Sequence, residues 1–425
     1  MSNSAIDFLL SIPMFQQIGA AALNPSLDKI TEIDTFLGHP HREFKTIHVA
    51  GTNGKGSVSH ILCSVLMAAG YKVGLYTSPH LKAFNERIRI NGEEVETAFI
   101  EDFVSRSRDL IEELKPSFFE VTTALAFDYF RAQKVDITVI EVGLGGSFDA
   151  TNIINPILSV ITNISKDHTS ILGNTLAEIA EQKAGIIKQN VPVVLGESDS
   201  QILPVFERIS KEKGSSLTVA DSCFSVTDSR VMSNCRFFEI SSNEGEKLSL
   251  ICELTGEAQK KNILTICAAY EVLKGELNLT LSDLQRGVEK CSTATNLKGR
   301  WQTLSTTPLT ICDTAHNEAG IREVVKQLSE IQYNKLYIVL GMVADKDINS
   351  VLALFPKEAY YIFTKAQISR ALDEGELMKL ANNHGLTGES CGDTGSAFAR
   401  AKELATVGDM IFIGGSNFVV SEFML

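Results

Sequence analysis

The chain has 425 residues, 44% of them hydrophobic and 21% charged, with a formal net charge of −13. That length favours two hydrophobic cores over one, and the composition is that of a globular protein in water. The acidic balance excludes a nucleic-acid-binding surface, which needs a basic stripe, but leaves room for anionic small substrates held by a local cation cluster. The start, Met1-Ser2-Asn3-Ser4-Ala5-Ile6-Asp7, lacks the basic opening and cleavage pattern of a secretory signal. The first strong pattern is the short apolar run Phe44–Val49, which predicts a strand. Gly51-Thr52-Asn53-Gly54-Lys55-Gly56-Ser57 follows, and then Val58, Ile61, Leu62, Val65, Leu66 and Ala69 fall at helical spacing before the stop at Gly70. Strand, glycine loop and helix is the layout of a phosphate-binding loop. Glycines let backbone N–H groups converge on phosphate oxygens, and the helix N-terminus adds partial positive charge. Lys55 would reach the β- and γ-phosphates and Ser57 would ligate Mg²⁺, although Gly56 separates them and makes the match to G-x-x-x-x-G-K-[ST] imperfect. A glycine turn that merely joins strand to helix is the plainer alternative; the run reads as a nucleoside triphosphate site.

Beyond the loop, Tyr71–Tyr76, Val135–Val142, Ile157–Thr162 and Val191–Leu195 read as buried strands, with helices over Ile100–Leu114, Glu120–Ala132 and Thr175–Gln189. This alternation predicts an α/β fold, a mostly parallel sheet flanked by helices. From Thr218 to Gly256 short alternating runs with polar turns predict a small antiparallel flap, and helices return at Gln259–Leu273 and Leu281–Lys290. The polar, small stretch Ser292–Leu297 reads as a linker. Past it, strands at Leu309–Asp313, Leu336–Leu340, Tyr360–Thr364 and Met410–Gly414 predict a smaller, Rossmann-like α/β domain. The domains are therefore placed at 1–296, which binds ATP, and 297–425. The eight cysteines are scattered without a C-x-x-C pair, so neither a zinc site nor a disulfide framework is indicated. Cys63, Cys267 and Cys312 sit inside apolar runs and read as core, and no apolar stretch reaches membrane-spanning length. A cytoplasmic protein with no membrane partner is expected.

Pockets in such folds form at the carboxyl ends of strands and between domains. Glu141 closes a buried strand downstream of the phosphate loop, where an acid is well placed to hold Mg²⁺, and Gly143-Leu144-Gly145-Gly146 lets backbone pass close to a ligand. Asp167-His168 follows the next strand, and His168 on a rim with Ser57 and Glu141 reads as a further metal ligand. Lys183 lies on a predicted helix whose other lysine, Lys188, faces solvent; read alone, Lys183 is a surface lysine.

Together these residues resemble the folylpolyglutamate synthase/dihydrofolate synthase family within the Mur ligase superfamily. The resemblance runs through G-T-N-G-K-G-S at Gly51–Ser57, S-P-H-L at Ser78–Leu81, F-N-E-R-I at Phe84–Ile88 and F-F-E-x-x-T at Phe118–Thr123. It continues in E-V-G-L-G-G-x-x-D-A-T-N at Glu141–Asn152, D-H at Asp167–His168 and K-A-G-I at Lys183–Ile186. In the second domain it appears as G-R at Gly299–Arg300, D-x-A-H-N at Asp313–Asn317 and D-K-D at Asp345–Asp347. Any one match is weak; in order, over nearly the whole chain, they are jointly specific.

The resemblance implies an ATP-dependent ligase that adds L-glutamate to dihydropteroate or to a reduced folate through an acyl phosphate. It implies Mg²⁺ held by Ser57, Ser78, Glu141, His168 and a Lys183 carbamylated to N6-carboxylysine, since CO₂ addition turns a repelling cation into an anion. Asn262 would hold the adenine, with Arg300, Asp313 and His316 reaching ATP from the second domain. Ser78, Pro79 and His80 of S-P-H-L, with Thr122 and Asp149, would line the substrate pocket. Lys55, Lys183, Asp313 and His316 would serve the reaction, and closure of the domains would orient three substrates and exclude water. A monomer with only small-molecule partners is expected. Three departures bear on substrate preference: Ser147 where an arginine is usual, Thr314 for the glycine of D-G-A-H-N, and Ala258 where many relatives carry histidine. A Mur-type cell-wall ligase and a nucleotide-dependent switch are the competing readings; S-P-H-L with F-N-E-R-I counts against the first and the metal ligands against the second.

Overall fold

The computed structural model describes residues 4–14, 26–344 and 346–424. The chain-start pattern at 1–3 and Asp345 of the D-K-D motif lie outside them. Two compact units are present. One comprises Met1–Ser165, Thr169–Glu253 and Lys260–Leu297; the other comprises Lys166–His168, Leu254–Gln259 and Lys298–Leu425.

The first unit contains strands β1 (Lys45–Ala50), β2 (Val73–Tyr76), β3 (Ile88–Ile90), β4 (Glu93–Glu94), β5 (Ile137–Glu141), β6 (Leu158–Ile161), β7 (Val193–Leu195) and β8 (Leu217–Val219). They form one sheet in the order β4-β3-β2-β5-β1-β6-β7-β8. The strands β2, β5, β1, β6, β7 and β8 run parallel, while β3 and β4 are antiparallel at one edge. β1 and β5 are buried almost throughout because helices cover the sheet. One of these, Phe118–Ala132, starts from a capping box in which Glu120 Oε2 accepts the Ser117 N–H at 2.7 Å, and it places Phe127 and Phe130 in the core. The expected flap is a three-stranded antiparallel sheet, β9 (Phe224–Met232), β10 (Cys235–Ser242) and β11 (Lys247–Cys252), in the order β11-β10-β9.

The second unit carries β12 (Gln302–Thr306), β13 (Leu309–Cys312), β14 (Leu336–Leu340), β15 (Tyr360–Phe363), β16 (Thr387–Ser390) and β17 (Met410–Gly414), ordered β12-β13-β17-β14-β15-β16. All pairs are parallel except the β12–β13 hairpin. Ile338, Leu340, Phe363 and Phe412 fill one face of this sheet, and Val339, Ile362, Ile411 and Ile413 the other.

Two expectations need correction. The helix read as Thr175–Gln189 spans only Leu176–Ala184. Ile186 and Ile187 instead turn into the core, where Asn152 Nδ2 donates to Gly185 O at 3.1 Å and Ser159 Oγ to Ile186 O at 2.9 Å. The stretch read as a linker is largely a short helix, Cys291–Thr295. Its N-terminus is held by Glu253, whose carboxylate accepts the Ser292 and Thr293 N–H groups at 2.8 Å each.

Candidate active site

In the first unit the parallel register sets Glu141 beside Val49, and Ala50 beside Ile161, so the carboxyl ends of β5, β1 and β6 lie next to one another. The glycine loop leaves β1 here. Gly51 has φ +147 and passes so close to Thr162 that a Cβ would meet its hydroxyl at 1.9 Å; Gly54 has φ +82 and touches the Asn262 amide. Only glycine takes these paths. Side chains from the next strand end pin the loop. Asn53 N donates to Asn163 Oδ1 at 3.0 Å, Thr162 Oγ1 to Asn53 O at 2.6 Å, and Thr52 Oγ1 to Ser165 O at 3.1 Å. Lys55 opens the helix Lys55–Ala68 and folds over the loop, donating to Gly51 O at 3.1 Å and Thr52 O at 3.2 Å.

Lys183 also reaches the loop, with Nζ 2.8 Å from Gly51 O, and it is 4% exposed. The surface reading of this lysine is therefore wrong: it is a buried ammonium aimed at the phosphate loop. Its companion Lys188 lies beyond the helix end and is half-buried, with Nζ 2.7 Å from Asn152 O. Burial, then the charge of Lys213, lowers the Lys188 pKa. The backbone of Lys183 is fixed by the next glycine loop, since Ser147 N donates to Gln182 O at 3.0 Å and a Cβ on Gly146 would strike Gln182 O at 2.7 Å. Ser147 thus docks the glycine loop on the helix end.

Asp149 steadies the same loop by accepting the Leu144 N–H at 2.8 Å and both the N–H and hydroxyl of Thr151. Burial raises its carboxyl above the usual range. Thr122 is wholly buried with its hydroxyl 2.9 Å from Tyr76 OH. Pro79 is exposed, and Ser78 N donates to Glu141 Oε2 at 3.1 Å. His80 accepts the Arg87 Nε–H at 2.7 Å, and burial, then the Arg87 charge, pushes its imidazole down to about 3.

Among the described residues, no group of three or more His, Cys, Asp and Glu is arranged to hold a metal ion. Mg²⁺ asks for less: one or two protein oxygens, with substrate phosphates and water completing its octahedron. Ser57 and Glu141, 2% and 4% exposed, are oxygen donors of that kind. The donor chemistry fits.

His168 falls in the second unit, in a cluster around Asp167. The Asp167 carboxylate pairs with Lys346, accepts from Asn317 Nδ2 at 3.1 Å and lies 3.4 Å from His316 Nε2. Burial would raise this carboxyl, but the hydrogen bond and charge of His316, with the charges of His168 and Lys346, hold it far below the usual range. Asp313 is partly buried and serves the backbone, accepting Trp301 N at 2.7 Å and Ala315 N at 2.8 Å. Burial raises its carboxyl. Arg300 sits between Gly299 (φ +75) and Trp301 (φ +45), and its Nη1 donates to Thr314 Oγ1, which itself donates to Gly299 O at 3.1 Å. The hydroxyl of Thr314 gives this departure a structural part: it ties the D-x-A-H-N turn to Arg300.

Sequence reasoning missed Thr162 and Asn163 as loop anchors, and it left Glu86, Arg87 and Lys346 without roles although their motifs were in view. A polar pair at a strand's carboxyl end was the available signal for the first two.

Two family models match in order: the Mur ligase middle domain over residues 49–270 and the Mur ligase glutamate ligase domain over 299–417. The dihydrofolate synthase/folylpolyglutamate synthase of Bacillus subtilis is 31% identical over 412 residues, covering 94% of each chain. The chain belongs to the folylpolyglutamate synthase/dihydrofolate synthase family. It is thus a ligase. A probable bifunctional folylpolyglutamate synthase/dihydropteroate synthase of Haloferax volcanii is 32% identical over 99% of this chain, which spans 50% of that relative's length. Among solved structures of the family, the bifunctional enzyme of Yersinia pestis, complexed with AMPPNP and a manganese ion, superposes with a TM-score of 0.83. It is 27% identical, over 99% of this chain and 96% of its own.

Proposed function

We propose that the protein joins L-glutamate to dihydropteroate, to reduced folate (poly)glutamates, or to both, converting ATP to ADP and phosphate. The observation that carries this is one phosphate loop whose Gly51 carbonyl is reached by both Lys55 and Lys183, with Glu141 at the neighbouring strand end. The family's nucleotide- and manganese-bound structure supports ATP and a divalent ion as the ligands. Residues 1–296 are read as the ATP-binding domain and 297–425 as the ligase domain.

A carboxylate is a poor electrophile, so the acceptor's carboxylate attacks the γ-phosphorus, ADP leaves, and an acyl phosphate forms. The glutamate amine then attacks the acyl carbon, and the tetrahedral intermediate expels phosphate while the amine proton passes to solvent. Gly51–Ser57 cradle the phosphates and Lys55 exchanges its loop carbonyls for phosphate oxygens, offsetting charge on the transferring group. Ser57, Ser78, Glu141 and His168 are the proposed Mg²⁺ ligands, and the ion would supply Lewis-acid stabilisation of the phosphoryl oxygens. Lys183 in its neutral form adds CO₂ at Nζ and loses a proton, giving an anionic carbamate that joins the set. Asn262 is assigned to the adenine, with Arg300, Asp313 and His316 to the nucleotide, and Ser78, Pro79, His80, Thr122 and Asp149 to the acceptor. A cytoplasmic monomer with small-molecule partners completes the reading; among the described residues no helix is long and apolar enough to cross a membrane.

The test is phosphate release from MgATP and glutamate, with dihydropteroate in one reaction and tetrahydrofolate in another, and products identified by mass. Turnover with both makes the enzyme bifunctional, and turnover with one assigns the specialised activity. Release with neither, in folded and ATP-binding protein, overturns the substrate assignment.

A further inference from the structure

The segment Phe84–Ile88 has no part in the phosphate, metal or nucleotide assignments, yet two of its charged side chains are committed to the chain just before it. The Glu86 carboxylate accepts three consecutive backbone N–H groups, from Leu81 at 2.7 Å and from Lys82 and Ala83 at 2.9 Å each. Arg87 is 3% exposed; its Nε donates to His80 Nδ1 at 2.7 Å, and its guanidinium lies 5.1 Å over the ring of Phe118. The Arg87 carbonyl also takes the Thr77 N–H at 2.9 Å. At the front of the segment, Ser78 N is held by Glu141. Every polar handle of residues 77–83 that bonds here is thus gripped by Glu86, Arg87 or Glu141.

The contact to His80 decides the tautomer. A guanidinium carries donors only, so the imidazole Nδ1 is the acceptor and the ring proton is on Nε2. Burying an arginine is costly unless its N–H groups and its flat faces are used, and here a ring nitrogen takes one edge and an aromatic ring one face. The ring is fixed in place and presents a single N–H at its far side.

We propose that Glu86 and Arg87 are positioning residues for the acceptor-binding loop, and that Arg87 turns His80 into a hydrogen-bond donor, through Nε2–H, to an oxygen or imine nitrogen of the folate-type acceptor. This rests on the reading of Ser78–His80 as acceptor-binding. The experiment uses the full chain, with dihydropteroate and tetrahydrofolate as separate acceptors. KM and kcat are measured for acceptor and ATP in Arg87→Met, Arg87→Lys, Glu86→Gln, His80→Leu and the Arg87→Met/His80→Leu pair, with melting curves for each. Nitrogen-15 spectra of histidine-labelled wild-type protein report the tautomer without any substitution. The expected results are a single Nε2–H tautomer, an acceptor KM raised about tenfold in Arg87→Met and in His80→Leu, and no further rise in the pair. The ATP KM stays unchanged, and His80→Gln, which keeps a donor near Nε2, recovers most of the loss. A wild-type Nδ1–H tautomer overturns the proposal even if the arginine variants do not fold. So does a normal acceptor KM in Arg87→Met beside a raised one in His80→Leu. A normal acceptor KM in His80→Leu instead overturns the reading of the loop itself.

Discussion

One carbonyl, that of Gly51, accepts from two ammonium groups. The Lys55 contact gives way to phosphate once a triphosphate enters, because an ammonium is drawn more strongly to a full negative charge than to the dipole of a carbonyl. Lys55→Ala and Glu141→Gln should therefore each lower kcat by ~10²–10³-fold or more with melting temperature nearly unchanged; near-normal ligation by either would remove it from the site. Lys183→Ala should be equally impaired, and wild-type protein under carbon-13-labelled CO₂ should show a carbamate resonance that the variant lacks. An active Lys183→Ala enzyme indifferent to CO₂ would end the carbamate assignment. The glycine loop, Lys55, Ser57 and Glu141 were legible because each stands at a strand end that the apolar pattern already marked. Lys183 was not, because helical spacing alone does not say which face of Leu176–Ala184 meets a loop more than a hundred residues away. A different buried acid had no signal at all: Asp34, 3% exposed, accepts from His39 Nδ1 at 2.7 Å and His41 Nδ1 at 2.6 Å. Burial would raise its carboxyl, but the two histidines bring it below the ordinary value. A lowered native pKa gives stability that is present above the unfolded carboxylate value, about 3.9, and lost as pH falls through the native one. The urea midpoint of the wild type should exceed that of Asp34→Asn at about pH 6, and the gap should close below about pH 4; a gap that persists in acid would show that the carboxylate charge is not its source.

At the scale of elements, long periodic segments announced themselves and short ones did not. The β1–loop–helix unit, the helices Thr97–Leu114 and Phe118–Ala132, and the four inner strands of the second sheet were visible in the pattern. β3, β4, β8 and β16 are two to four residues long and lie at or near sheet edges, and runs that short leave no periodic trace. The overlong helix and the misjudged linker share a cause: both were settled by side chains distant in sequence, Asn152 and Ser159 in one case and Glu253 in the other. The loop itself makes a sharper test. Gly51→Ala forces a Cβ into the Thr162 hydroxyl at a φ of +147. Backbone strain alone should cost about 1–3 kcal/mol, read as a lower urea midpoint together with a raised KM for ATP. An unchanged midpoint would mean that the loop relaxes at no expense.

For the whole molecule, the sequence pattern separated an ATP-binding region from a smaller α/β region, but it could not show that the second unit is assembled from three stretches of chain. Residues 166–168 bring Asp167 to Lys346, Asn317 and His316. Residues 254–259 bring Glu257 to Lys326 at 2.8 Å, with Glu257 N donating to Gln327 Oε1 at 2.6 Å. These are a few contacts from short segments, invisible to any periodicity argument. A fragment of residues 298–425 lacks both, and should unfold at clearly lower urea than the corresponding transition of the full chain; equal midpoints would show the two strips to be dispensable.

The same interleaving constrains how this protein can be recombined with its relatives. A chimera joined after Leu297 looks like a clean exchange of one unit, yet it would leave the host's Asp167 and Glu257 facing a foreign Lys346, Asn317 and Lys326. Five crossovers are required instead of one, two around each strip and one after Leu297: the two strips must travel with the final stretch, as a lock's tumblers travel with its key.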